Sequence, residues 1–264
     1  MIEQIILGIT QGIAEWLPIS SEGMLFLIKT NFFNTGTVLE LFKLALFLHF
    51  GTFLAALVYF WKDVVHLFKG LFKFNRQDVE TKNTIIFLII TTIISGAIGL
   101  GIMKLFYTIM DSFELTGRIL TGVIAALLLI TGTLLLYNRK NKGLRDAKDL
   151  RWYDSIILGI GQGLAVLPGL SRSGTTVSLL LLRKIKEETA LKLSFLMSLP
   201  LVLFGNIFLN LDMFILSWAN LVGLLFAFLF GILTIHVLLK FAKKVNFGWF
   251  VIVFGILMAI AIFI

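Results

Sequence analysis

The sequence predicts an all-α polytopic membrane protein built as an inverted-topology repeat, with six spanning helices and two re-entrant helical hairpins that meet near the bilayer midplane. Three observations carry this. Of 264 residues, 58% are hydrophobic and only 14% charged, and the mean hydropathy is +0.98, whereas about a quarter of a soluble domain is charged. Apolar runs of bilayer length recur along the chain. Two further apolar regions are broken in the middle, and they resemble each other.

The elements follow in chain order. Residues 2–30 are apolar but interrupted by LPISSEG (17–23), so each half is too short to cross about 30 Å of hydrocarbon, which takes roughly 20 helical residues. The opening MIEQIILGITQGIAEWLPIS has no basic n-region and no small-residue cleavage site, and reads as mature chain. Runs near 39–61, 84–106 and 117–137 are long enough to span. A second broken region, 154–183, carries LPGLSRSG (167–174), and further spans fall near 191–210, 216–239 and 246–264. Irregular backbone at membrane depth is tolerated only where protein buries it or a wet cavity adjoins it, so both breaks are expected at a functional site.

ILGITQGIAEWLPI and ILGIGQGLAVLPGL match at Ile6/Ile157, Leu7/Leu158, Gly8/Gly159, Gln11/Gln162 and Gly12/Gly163, and with a one-residue gap at Pro18/Pro168. KLALFLHFG from Lys43 and KLSFLMSLP from Lys192 continue the match. The chain is therefore read as one membrane domain, 1–264, with repeat 1 at about 1–137, repeat 2 at about 152–264 and a basic connector at 138–151. Of 23 Lys and Arg, 18 lie in 62–83, 138–151, 183–192 and 240–244, and the positive-inside rule places these in the cytoplasm. The first hairpin then enters from outside and the second from inside. The same bias accounts for the net charge of +8 without a nucleic-acid partner, and zero cysteines exclude disulfides and thiolate chemistry.

Arg172, at the second break, is costly at membrane depth, about 2.5–3.5 kcal/mol on insertion scales, and needs an anionic partner. Ser171, Ser173, Thr175 and Thr176 offer hydroxyls, Gly169 and Gly174 allow close backbone approach, and a helix restarting there aims free N–H groups at the break. This composition suits a phosphate; the alternative is an internal pair with a carboxylate such as Glu15. At the first break, Gln11 and Glu15 share a helix face. Glu15 is suited to ligating Mg²⁺ or Ca²⁺, to managing a proton, or to pairing with Arg172. Ser20 and Ser21 are candidates for a nucleophile or a helix cap. His49 lies about ten residues into its span, level with the hairpin tips, either as a proton carrier or as a packed core histidine.

Gln-x-x-x-Glu-x-x-Pro-x-Ser-Ser (11–21), Pro-Gly-x-Ser-Arg-Ser-Gly-x-Thr (168–176) and FLHFGTFLAALVYFW (47–61) together resemble the undecaprenyl-diphosphate phosphatase family of the bacitracin-resistance type, over nearly the whole length. That resemblance implies removal of the terminal phosphate of a polyprenyl diphosphate on the outer face of the cytoplasmic membrane, with Mg²⁺ or Ca²⁺ as the divalent cation. It implies that Arg172 holds the diphosphate with Ser171, Ser173 and Thr176, that Glu15 is the acid retained from a carboxylate pair whose first member is Gln11 here, and that Ser21 is the nucleophile. Met24 stands where the resemblance implies the histidine common in bacterial members, which leaves Glu22 or His49 to move protons. A transporter or flippase for a phosphorylated lipid or anion, and a protein that only binds the lipid head, are the rival expectations, since inverted repeats with half-helix tips are also transporter architecture.

Overall fold

The computed structural model describes residues 1–33, 38–112, 117–138, 143–167, 169–209, 217–241 and 247–260. Eleven α-helices occur among them: α1 (Ile2–Ala14), α2 (Ser21–Ile28), α3 (Val38–Tyr59), α4 (Trp61–Phe72), α5 (Val79–Ser112), α6 (Gly117–Asn138), α7 (Trp152–Leu164), α8 (Arg172–Leu182), α9 (Glu187–Leu209), α10 (Trp218–Phe241) and α11 (Phe247–Ile260). There is no strand among the described residues, only an isolated bridge between Arg145 and Ile185.

All six expected runs are helical over nearly all their described residues, with 210, 216, 246 and 261–264 outside the described residues. Three stretches are long and apolar enough to cross a membrane: Val79–Leu105, Glu187–Phe208 and Trp218–Lys240. Lys43–Tyr59 with Trp61–Phe72, bent by 82° at the break, adds a fourth if counted as one span. α5 begins five residues before its apolar run because Asp78 caps it, accepting the Thr81 N–H at 2.8 Å and the Thr81 hydroxyl at 3.0 Å. Hydropathy alone does not register such a cap.

Both broken regions fold as helix, break, helix: α1 and α2, then α7 and α8. Their first arms lie on long helices through glycine seams. A Cβ on Gly8 would stand 2.3 Å from the Gly223 carbonyl oxygen of α10, and one on Gly12 2.8 Å from that of Ala227. The matched glycines do the same on α5, where Cβ atoms on Gly159 and Gly163 would each meet an isoleucine, Ile94 or Ile98, at 2.7 Å. Without water to drive helices together in lipid, close backbone approach through small residues is what joins them. α8 packs on α6 and α9, and α3 on α9 and α10, so the two breaks face each other inside the bundle.

A buried carboxylate locks the connector to this frame. Asp154, fully buried, accepts from Arg145 at 2.6 Å, Arg183 at 2.7 Å and the Arg151 backbone N–H at 2.9 Å. One carboxylate thus ties residues 145–151 to the start of α7 and the end of α8.

Candidate active site

Each break ends at a serine that restarts a helix. Ser20 accepts the Gly23 N–H at 3.1 Å and Ser171 the Gly174 N–H at 3.2 Å, each as N-cap in extended backbone. Equating the caps sets Ser21 opposite Arg172 in the repeat. The tips also bond each other: Gly169, whose φ of 97° suits only glycine without strain, donates its N–H to Ser20 Oγ at 3.0 Å, and Ser173 Oγ donates to the Leu17 carbonyl at 2.6 Å. Pro168 lies outside the described residues.

Glu15, one residue past α1, is the hub. Its Oε1 meets Arg172 Nη2 at 2.5 Å, and its Oε2 accepts from Ser21 Oγ at 2.9 Å and Gln11 Nε2 at 3.1 Å, with His49 Nε2 at 2.8 Å. His49 Nδ1 faces the Ala45 carbonyl at 2.6 Å and Glu22 Oε1 stands 3.6 Å from Nε2. Both imidazole nitrogens therefore face oxygen acceptors, the arrangement of a doubly protonated ring. Arg172 further donates to the Ser194 carbonyl at 3.2 Å and lies 5.8 Å over the Trp16 ring, a cation–π contact. The pair with Glu15 that the sequence left open is thus made, and both partners still line a cavity.

That cavity, about 380 Å³, is bounded at one end by Glu15, Ser20, Ser21, Glu22, His49, Ser171 and Arg172. At the other end it is apolar, between Gly96, Leu100 and Met103 of α5 and Leu201, Phe204 and Phe208 of α9. The remaining expected residues brace the tips rather than face this space. Ser173 and Gly169 make the bonds between tips. Gly174 leaves no room for a Cβ, which would meet Thr131 at 2.6 Å, and Thr176 bonds Ser194 Oγ at 2.7 Å and its own helix. Ser20 Oγ takes two N–H donors and meets Glu22 Oε2 at 3.3 Å, so its lone pairs are spent. Ser21 Oγ accepts none of the bonds described.

Sequence reasoning missed Gln162, fully buried on the cavity wall, which donates to Ser95 Oγ at 3.1 Å and keeps an Oε1 without a partner. Its match with Gln11 was the available signal. Gln11 Oε1 is likewise buried without a partner.

The implied divalent cation can be tested against this donor set. Both Glu15 oxygens are already committed to Arg172, Ser21, Gln11 and His49. Among the described residues no group of three or more His, Asp or Glu is arranged to hold a metal ion. Among the described residues no ready-made cage of side chains is present, and a divalent ion on Glu15 would have to share Oε1 with Arg172 or displace one of the three partners of Oε2.

The sequence profile of bacitracin resistance protein BacA matches residues 4–260. A protein of Methanococcoides burtonii named undecaprenyl-diphosphatase is 43% identical over 267 residues, covering 99% of this chain and 98% of its own length. Proteins of the same name from Methanococcus maripaludis strain C6 and Methanothrix thermoacetophila are 37% and 34% identical, covering 99% and 97% of this chain and 97% and 94% of their own lengths. With the profile spanning nearly every residue and such relatives matching end to end, the chain belongs to the bacitracin resistance protein BacA family.

Proposed function

We propose that the chain is a membrane phosphoanhydride hydrolase that converts undecaprenyl diphosphate, or a polyprenyl diphosphate like it, to the monophosphate and inorganic phosphate, recycling a lipid carrier. The observation that carries this is the Ser21–Glu15–Arg172 chain of contacts, 2.9 and 2.5 Å, at the polar end of a cavity whose other end is apolar. A head group with two phosphates and an isoprenoid tail has that same polarity.

In this reading the terminal phosphate replaces part of Glu15 as the partner of Arg172, whose planar donors suit phosphate oxygens. Ser21 Oγ attacks the terminal phosphorus while its proton passes to Glu15 Oε2. The bridging P–O bond breaks, and the lipid monophosphate leaves with that electron pair and takes a proton from His49, which regains one from Glu15 across their 2.8 Å contact, leaving Glu15 a base again. Water then attacks the phosphoserine, gives its proton to Glu15, and Ser21 Oγ leaves and is reprotonated, releasing phosphate. His49 holds the Glu15 charge and supplies a proton where the family commonly uses the residue at Met24. Phosphoryl transfer runs largely on positioning and charge neutralisation, so the four groups around Glu15, Arg172 among them, carry much of the work. A Mg²⁺ or Ca²⁺ ion bound with the substrate would supply further positive charge to the diphosphate beside Arg172.

We place the site in a multi-pass fold of the cell membrane, open to the outer face, with the two hairpins re-entrant and six spans arranged as an inverted repeat around it. Support comes from the duplicated motif, the matched glycine seams and the one-sided basic residues. The test is phosphate release from undecaprenyl diphosphate in detergent with Mg²⁺ or Ca²⁺. Turnover by the wild type, abolished by Arg172→Ala, supports the hydrolase; lipid binding without release, across metals and chain lengths, overturns it.

A further inference from the structure

α4 is a short helix set almost at a right angle to the span before it: Trp61–Phe72 is bent by 82° from Lys43–Tyr59. A helix so bent from a spanning helix lies near the membrane plane. Its three sides differ in kind. One side rests on protein. Gly70 is buried so closely that a Cβ would meet Ile85 at 3.0 Å, Val64 and Leu67 pack against the Leu191, Phe195 and Leu196 cluster, and Asp63 pairs with Lys192 at 2.6 Å. A second side is apolar and open, with Trp61 59%, Phe68 60% and Phe72 78% exposed at positions spaced seven and four apart, hence in one stripe. The third is basic. Lys62, Lys69 and Lys73 repeat that spacing one residue later, and all three are exposed.

We propose that α4 is an interfacial helix that recruits anionic lipid. The spacing sets the lysine stripe about a quarter-turn from the aromatic stripe, with protein behind both. A helix lying in the interface needs that order: aromatic rings go into the acyl boundary, lysines stand at head-group level, and the third side is held by the spans. Arg76, also exposed just beyond the helix, extends the basic edge. Each lysine at an anionic surface strengthens attraction appreciably, within a Debye length. The occupant is a lipid with an anionic head group in the leaflet where α4 lies, a class different from the diphosphate substrate and bound at a different face. The inference does not rest on the hydrolase reading.

The test uses the full chain in phosphatidylcholine vesicles containing an equal fraction of brominated phosphatidylglycerol or brominated phosphatidylcholine, with Trp61 quenching taken as wild type minus Trp61→Phe. The expected result is quenching at least about three-fold stronger with the anionic lipid at low salt, because charge concentrates it at the helix. That preference disappears in Lys62→Gln/Lys69→Gln/Lys73→Gln and falls in about 1 M salt. Equal quenching by the two lipids, a preference surviving in the triple variant, or no quenching by either overturns the proposal. The remaining tryptophans, quenched alike in both proteins, report that the triple variant is folded and inserted.

Discussion

Ser20 and Ser21 are neighbours of the same type with opposite prospects, because their lone pairs are spent differently. Ser20 Oγ accepts the N–H of Gly23 and of Gly169. Ser20→Ala leaves two buried N–H groups without an acceptor and is expected to cost about 1–3 kcal/mol in stability, read as a lower unfolding temperature in detergent, with turnover per folded molecule reduced far less than by the next substitution. Ser21→Ala removes only the hydroxyl bonded to Glu15 and should abolish phosphate release while leaving the unfolding temperature near that of the wild type. Glu15→Gln keeps the shape but loses the proton acceptor, an effect of about 10²–10⁴ in kcat. KM should not rise, since Arg172 no longer has to leave a carboxylate to bind the substrate. If the two residues act as one unit, Ser21→Ala/Glu15→Gln will be no slower than the worse single variant by more than a few-fold. Multiplicative losses in that cycle would argue for separate roles.

At the scale of elements, the same glycine pair is used twice. Gly8 and Gly12 seat α1 on α10, and Gly159 and Gly163 seat α7 on α5, each with a Cβ position closer than 3 Å to a neighbour. Gly12→Leu and Gly163→Leu should therefore each destabilise by at least about 1–3 kcal/mol through overpacking and separate the tips they carry. Loss of both stability and phosphate release is the expected pairing, measured by thermal unfolding alongside activity. The seams explain what was readable from sequence. The duplicated Gly-x-x-Gln-Gly pattern, the breaks and Arg172 marked both arms and the place where they meet, because these features are local in the chain. The bonds between tips were not readable. Ser173 to Leu17 and Gly169 to Ser20 join residues about 150 positions apart, which no local pattern announces. The Asp78 cap and the Asp154 clamp escaped for another reason: both depend on side-chain hydrogen bonds that hydropathy does not weigh. Asp154→Ala removes the carboxylate that Arg145 and Arg183 share and should cost about 1–3 kcal/mol, since both arginines are partly exposed and Arg145 keeps the Arg183 and Asp149 carbonyls.

For the molecule as a whole, the question is how a single cavity serves both a doubly charged head and a long apolar tail. Its polar end is lined by the two tips and its apolar end by α5 and α9, where Gly96 and Gly205 line the wall and a Cβ on either would meet nothing within 4 Å. These glycines differ from those of the seams: they leave space instead of permitting contact. If the tail lies there, filling the space should act on the tail and not on the chemistry. Gly96→Phe is expected to fold as well as the wild type, since replacing a helix-interior glycine removes a penalty of roughly 0.5–1 kcal/mol. It should lower kcat/KM for a long polyprenyl diphosphate by about ten-fold, the worth of a few displaced methylene contacts, while a C15 diphosphate is turned over nearly as before. Both rates come from phosphate release across a chain-length series. A uniform loss at every length would place the substituted residue against the head group instead, and no loss at any length would put the tail outside the part of the cavity lined by α5 and α9. The predicted selectivity follows only if charge recognition and tail recognition occupy opposite ends of one space, with Glu15 and Arg172 at one and Gly96 at the other.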